Sequence, residues 1–175
     1  MSRQAPSSAA LPVAHVVLRV LIVLNWLMGA AILALLLVAP HEQWIMRALK
    51  LSPSPEAERI LFGLRAIAVI GLAAIPLNDL VLKRLFAIVE TVRAGDPFVA
   101  ANAQRLHAIA WALLALQLLS MAVGGIAEAV STPAQPIDVD AGFSINGWLA
   151  VLLTFLLARV FAEGTLMRDD LEGTV

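Results

Sequence analysis

Four apolar runs of about 20 residues dominate the sequence and limit its fold more than any other feature. A helix of about 20 apolar residues crosses the roughly 30 Å hydrocarbon core of a bilayer. The runs predict membrane spans at about 13–39, 60–82, 108–127 and 145–162. Since no run alternates as barrel strands do, each span is expected to be a helix. We therefore predict an all-α fold, a four-helix transmembrane bundle that forms a single integral membrane domain over residues 1–175.

The composition supports a bilayer as the main partner of the chain. Hydrophobic residues make up 61% of the 175 residues and charged residues 14%, whereas soluble domains average about 45–50% and about 25%. This excludes a disordered protein and an ordinary soluble enzyme. The net charge of −1 argues against direct nucleic-acid binding. The absence of cysteine excludes disulfides, zinc–thiolate sites and thiol nucleophiles.

The distribution of lysine and arginine between the loops predicts the orientation. Eight of these residues flank the spans on one side of the membrane and three on the other. Positively charged residues accumulate on the cytoplasmic side. We therefore expect both termini in the cytoplasm. The first span is too long for a secretory signal peptide, so it is expected to stay in the protein.

The segment between spans two and three predicts a long helical hairpin. An apolar stripe at helical spacing continues beyond the lipid: Leu82, Leu85, Phe86, Val89 and Val92. Gly95 is a natural helix stop, and Asp96 and Pro97 are expected to be the N-cap and first position of the next helix. The predicted helices are 13–39, 56–94, 97–129 and 144–172, with a cytoplasmic hairpin at 83–107 and a cytoplasmic tail at 163–175. The hairpin either packs on itself or offers a docking surface.

Two cytoplasmic motifs carry a resemblance to a known family. The first is Gly95-Asp96-Pro97-Phe98 followed by Asn102 and Arg105; the second is Phe161-Ala162-Glu163-Gly164 followed by Leu166, Asp170 and Glu172. The chain resembles the small four-span bacterial membrane proteins called domain of unknown function 2975. Members are often encoded beside a small helix-turn-helix regulator. The resemblance therefore implies a bacterial inner-membrane protein that partners a transcription factor, and it supplies no catalytic residues.

The two motifs, with neighbouring charges, form the candidate interaction surface. It comprises Arg84, Arg93, Asp96, Pro97, Phe98, Asn102, Arg105, Gly164, Leu166, Asp170 and Glu172. One hypothesis is a clasp in which the acidic tail docks on the basic side of the hairpin. Its apolar contacts would join Leu166, Met167 and Leu171 to Leu85, Phe86 and Val89. The alternative is a tail that lies on the membrane surface or is frayed.

Polar residues within the spans are candidates for either packing or transport. Asn25, Gln117 and Ser120 are expected to link helices. Arg65 either extends outwards to the interface or pairs with Glu128 near the end of span three. Facing acids at the bilayer midplane are absent from the sequence, which argues against a pump or cation-coupled carrier.

The search for catalytic chemistry yields no candidate catalytic, metal-binding or cofactor-binding residue. No Ser lies in a nucleophile elbow, and the sequence has no phosphate-binding glycine loop. We therefore predict a non-enzymatic membrane protein, either a sensor or a partner of a helix-turn-helix regulator. The alternative is a small oligomeric transporter or channel, with small-residue faces at Ala30/Ala34 and Ala108/Ala112 for a homo-oligomer. A remote alternative is a b-type haem protein with His15 and His107 as ligands.

Overall fold

Four long helices make up most of the described part of the protein. The computed structural model describes residues 10–38, 54–132 and 139–172, with side chains for 11–37, 54–132 and 139–167. The helices are α1 (Ala10–Val38), α2 (Pro55–Arg93), α3 (Ala100–Val130) and α4 (Ile145–Glu172). Each is long and apolar enough to cross a membrane. The described residues contain no strand, so the all-α prediction with four membrane-type helices is confirmed.

The start of α2 follows from local sequence signals. The Ser54 hydroxyl accepts a hydrogen bond from the Ala57 N–H at 3.2 Å, and Pro55 occupies the first helical position. Glu56 and Glu58 lie in the first turn, where the helix dipole favours negative charge. The helix then runs for 39 residues, about 58 Å at 1.5 Å per residue, with Pro76 inside it. The predicted single helix over 56–94 is confirmed to within one residue at each end.

Each helix packs antiparallel against its neighbour in the sequence. The packed pairs are α1 with α2, α2 with α3 and α3 with α4. Where α2, α3 and α4 meet, Leu106, Ile109 and Ala158 form a buried core cluster. Helix α1 lies on the far side of α2 and leaves most of its apolar side chains exposed. Such an apolar outer face suits contact with lipid.

Small and polar residues let neighbouring helices approach and then hold them together. A Cβ on Gly63 would come within 2.7 Å of the Val130 side chain, so the α2–α3 contact requires glycine there. Asn25 Nδ2 on α1 donates to the Ile75 carbonyl on α2 at 3.0 Å. At the start of α4, the Gly142 carbonyl accepts from Gln117 at 3.4 Å and the Gly142 N–H donates to Ser120 at 3.2 Å. Asn25 therefore links two helices as predicted, whereas Gln117 and Ser120 bond Gly142 in the segment that precedes α4.

The connection between α2 and α3 differs from the prediction in one respect. Helix α3 begins at Ala100, with Val99 as its N-cap, rather than at Pro97. The predicted capping role of Asp96 is wrong, because Asp96 lies three residues before the N-cap, in the turn that ends α2, where its N–H donates to the Thr91 carbonyl. Residues 96–99 therefore form a short non-helical link. We call this side of the molecule the Gly95 end and the opposite side the Gly142 end.

The hairpin does not stand apart from the other two helices. His15 and Arg19 of α1 lie against Phe86 of α2, with the two rings of His15 and Phe86 4.5 Å apart. On the other side, Phe161 of α4 lies against Phe98 in the link, with ring centroids 5.3 Å apart. The Gly95 end is therefore built from all four helices.

Candidate interaction site

The turn at Gly95 ends α2 through a recognisable hydrogen-bond pattern. Gly95 has φ +86°, a conformation that glycine adopts without strain. Its N–H donates to the Val92 carbonyl at 3.1 Å, and the Asp96 N–H donates to the Thr91 carbonyl at 3.0 Å. These two bonds form a Schellman motif, which satisfies carbonyls at the helix end. The turn thereby directs the following link back towards α2.

Asn102 lies inside this turn and holds its two sides together. The side chain is 0% exposed, and its Nδ2 donates to Thr91 Oγ1 at 2.7 Å and to the Pro97 carbonyl at 2.8 Å. Its Oδ1 accepts from Arg105 at 2.8 Å. Both donors and the acceptor of the amide are therefore used within the protein. Asn102 was predicted as part of an interaction surface. Because it is buried, it supports that surface by binding the backbone of the link at Pro97.

Arg105 extends the same network along α2. Its guanidinium donates to Asn102 Oδ1 and, at 3.2 Å, to the Ala87 carbonyl. The side chain is half-buried, so its charge is held close to the α2–α3 contact. Arg105 and Asn102 are thus brought together by one helical turn of α3, as their i, i+3 spacing favours.

The second motif meets the first through Phe98. Gly164 lies against the Phe98 ring, and a Cβ at this position would be 3.4 Å from Phe98 Cδ1, an ordinary van der Waals distance. Phe98 remains 44% exposed despite this contact and the one with Phe161. The link and α4 therefore form one continuous surface at the Gly95 end.

The remaining predicted surface residues lie around this contact. Arg84 is exposed, Arg93 is exposed and pairs with Glu90 at 3.0 Å, and Asp96 is half-buried. Leu166 and Met167 are 64% and 63% exposed. The side chains of Asp170 and Glu172 lie outside the described residues, as does that of Asp169.

The clasp hypothesis is wrong in its described apolar part. Phe86, the predicted partner of the tail, is covered by His15 and Arg19 of α1. Leu166 and Met167 are exposed instead of packed on the stripe. Helix α4 continues to Glu172, and it meets the turn through Phe161 and Gly164, about one turn earlier than expected.

A polar cluster around the buried Asp79, between α1 and α2, was not predicted from the sequence. Trp26 Nε1 donates to Asp79 Oδ1 at 2.9 Å, and Lys83 Nζ contacts Asp79 Oδ2 at 2.8 Å. Asp79 is buried, and Lys83 is exposed. The i, i+4 spacing of Asp79 and Lys83 was a usable signal for an ion pair. The contact with Trp26, 53 residues away, had no sequence signal.

The predicted pair of Arg65 and Glu128 stays a prediction. Arg65 is half-buried on α2 and Glu128 is exposed on α3. Arg59, near the start of α2, reaches the end of α3, where its guanidinium donates to the Ala129 carbonyl.

The two histidines considered as haem ligands are engaged at different places. His15 Nε2 lies 3.2 Å from Glu90 Oε1, between α1 and α2. His107 Nε2 accepts from Trp111 Nε1 at 3.0 Å, beside Phe155 of α4. The described residues contain no cluster of three potential His, Asp or Glu metal ligands.

Comparison with known proteins identifies the family. The chain matches the family described as protein of unknown function (DUF2975) over residues 4–175. The protein belongs to DUF2975. No curated protein and no solved structure matches the chain. The resemblance drawn from the motifs at the Gly95 end is therefore confirmed for the DUF2975 family.

Proposed function

We propose that this DUF2975 protein is a non-enzymatic adaptor or sensor of the bacterial inner membrane. Its Gly95 end and both termini face the cytoplasm, and the Gly95 end binds a small helix-turn-helix regulator. The excess of lysine and arginine on that side supports this orientation. The proposal needs no catalytic step and no cofactor.

Exposed apolar side chains at a charged end of the molecule carry the proposal. The Arg159–Glu163 pair of α4 is exposed at 78% and 57% of the two side chains. Charged groups at the bilayer centre are costly and face the protein interior, so an exposed pair belongs at or beyond the lipid boundary. Leu166 and Met167 lie further along α4 and are still more than 60% exposed. Apolar side chains in that position suit contact with another protein.

We define the adaptor surface by Phe98, Leu166 and Met167. Phe98 is anchored by Phe161 and Gly164, and the turn beneath it is held by Asn102. A surface supported by such contacts needs little rearrangement on binding, which favours affinity. We choose a small helix-turn-helix regulator as the partner because family members are often encoded beside one.

The transporter alternative has less support. A solute path would use the intramembrane polar side chains, but Asn25 and Gln117 are engaged with the backbone of neighbouring segments. Trp26 and Asp79 are engaged with each other. These polar groups act as links between helices in the described structure.

Copurification with the adjacent regulator tests the proposal. The tagged full-length protein should retain the regulator in mild detergent, and Leu166→Glu with Met167→Glu should reduce retention at least about tenfold, since two desolvated apolar contacts are lost. Phe143→Glu is the matched control because Phe143 is equally exposed and apolar but lies at the Gly142 end. Retention by the double variant at the level of the wild type would refute the proposal.

A further inference from the structure

An apolar groove of about 550 Å³ lies between α3 and α4 on the Gly95 side of the molecule. Small side chains create it: Ala103 and Ala108 on α3 and Ala158 and Ala162 on α4 line its walls. Phe155 and His107 also line it. Along α4 the groove extends from Phe155 to Ala162, about 10 Å at 1.5 Å per residue. A groove of this length is shorter than the contact between two packed membrane helices, and it suits a flexible hydrocarbon chain.

Two residues that line the groove, His107 and Phe155, contact Trp111, a residue type common at the membrane interface. Trp111 and Phe155 pack edge to face with centroids 5.5 Å apart, and Trp111 Nε1 donates to His107 Nε2 at 3.0 Å. Tryptophan with one apolar and one polar side is typical of the headgroup level. Because His107 Nε2 accepts, the neutral ring carries its proton on Nδ1 and has a donor there.

At the mouth of the groove one lining residue is positively charged, and a negative group outside the lining is paired with it. Arg159 lines the groove, and its Nε donates to Glu163 Oε1 at 2.6 Å. This bond uses one of the five guanidinium N–H donors, and the side chain is 78% exposed. Glu163 lies one turn closer to the end of α4. A ligand that contacts Arg159 therefore meets a guanidinium with a carboxylate beside it.

Contacts between the helices show that Arg159, at the mouth of the groove, lies at about the same height along the bundle as two other arginines. Arg19 lies over Phe86 of α2, and Arg105 of α3 donates to the neighbouring Ala87 carbonyl. Leu106, next to Arg105, packs in the same cluster as Ala158, next to Arg159. The three arginines thus lie at similar heights on α1, α3 and α4. Such a level is where lipid phosphates meet basic side chains.

We propose that the groove binds a phospholipid with a primary amine in its headgroup, such as phosphatidylethanolamine. One acyl chain lies along the alanine walls, the phosphate accepts hydrogen bonds from Arg159, and the ammonium donates to Glu163. Charge-assisted hydrogen bonds of this kind are strong and directional. A choline headgroup has no N–H to donate, and an anionic glycerol headgroup brings no cation to Glu163. The paired charges of this chain therefore select a zwitterionic amine.

Native mass spectrometry of the delipidated full-length protein tests this selection. Phosphatidylethanolamine, phosphatidylglycerol and phosphatidylcholine with identical acyl chains are titrated separately, and the Kd of the first bound lipid is measured. We expect phosphatidylethanolamine to bind about tenfold more tightly than either of the others, the equivalent of one charge-assisted hydrogen bond. Equal Kd values for the three lipids would overturn the proposal.

Two charge variants separate the roles of the mouth residues. Arg159→Gln should weaken phosphatidylethanolamine about tenfold through loss of the phosphate contact. Glu163→Gln should reverse the order, so that phosphatidylglycerol binds more tightly than phosphatidylethanolamine, because the guanidinium is no longer paired. Arg19→Gln is the matched control, since it removes the same charge at the same height outside the groove, and all Kd values should stay within about twofold. Unreversed preference in Glu163→Gln, or equal loss in Arg19→Gln, would overturn the assignment.

A variant with a larger side chain in the groove tests whether a lipid or a second copy of the chain occupies it. Ala162→Leu places three extra carbons in the groove and should weaken all three lipids, with helix content and thermal unfolding unchanged. A lipid-free dimer in the wild type that Ala162→Leu converts to monomer would show that another copy occupies the groove, and would overturn the lipid proposal.

Discussion

Asn102 Nδ2 lies 2.7 Å from Thr91 Oγ1, which ties the first turn of α3 directly to the last turn of α2. The hydroxyl of Thr91 in turn donates to the Ile88 carbonyl at 2.7 Å. The amide also holds Pro97 and Arg105. One buried side chain therefore fixes the position of the link that carries Phe98, and the adaptor surface depends on it.

Asn102→Ala should lower the free energy of unfolding by about 1–3 kcal/mol. The substitution leaves the Pro97 carbonyl without its amide donor and Arg105 with the Ala87 carbonyl as its remaining acceptor, and a buried polar group without a partner costs about this much. Equilibrium unfolding in mixed detergent–dodecyl sulfate micelles measures the change. Gln104→Ala, an exposed polar residue two positions along α3, should change the free energy by less than about 0.5 kcal/mol. Similar effects of the two substitutions would contradict the role given to Asn102.

Two adjacent glycines on α3 should respond oppositely to alanine. A Cβ on Gly124 would lie 2.6 Å from Gly142 Cα, a backbone atom that cannot easily move, whereas Gly125 has no atom within 4 Å of that position. Gly124→Ala should therefore destabilise the protein by about 1–3 kcal/mol through overpacking. Gly125→Ala should stabilise it by up to about 1 kcal/mol through helix propensity. Thermal unfolding of both variants checks this, and a loss of stability in Gly125→Ala would be inconsistent with the α3–α4 packing described.

The attachment of α1 should depend on Asp79 more than on Lys83. Asp79→Ala leaves the Trp26 indole N–H without its acceptor, whereas Lys83→Gln retains the bond between Trp26 and Asp79. Spin labels on Val20→Cys and Leu85→Cys, in this cysteine-free chain, report the α1–α2 distance. We expect a broader distance distribution in Asp79→Ala and an unchanged one in Lys83→Gln. Equal broadening in both variants would show that the ion pair, not the indole bond, holds α1.

Reporter fusions test the proposed orientation of the protein in the membrane. Reporter fusions after Lys50 and after Val139 should give a periplasmic signal, and a fusion after Val175 a cytoplasmic one, because positive charges favour the cytoplasmic side. A cytoplasmic signal at Val139 would refute the proposed orientation and, with it, the cytoplasmic adaptor surface.

Local signals in the sequence predicted the helices well. Ser54 and Pro55 mark the start of α2, and Gly95 marks its end, because capping depends on residues close in sequence. Asp96 was assigned to the wrong helix, because a capping residue type does not by itself show which of two neighbouring helix ends it belongs to. Its N–H takes part in the Schellman motif that ends α2, and Val99 is the N-cap of α3.

Contacts between distant segments were harder to predict. The apolar stripe containing Phe86 required an apolar partner, but periodicity alone does not say which helix supplies it. His15 and Arg19 of α1 took that place instead of the tail. The family motifs pointed to Asn102, Arg105 and Phe98, yet only the structure separates the buried Asn102 from the exposed Phe98.

The packing of consecutive helices on one another affects how the protein can assemble during synthesis. Every extensively packed pair joins consecutive helices, so each helix finds its main partner in the one synthesised just before it. Contacts between segments near in sequence form quickly because little chain entropy is lost in closing the loop. The packing therefore allows the chain to assemble in the order of translation, with each new helix packing on the helix made before it.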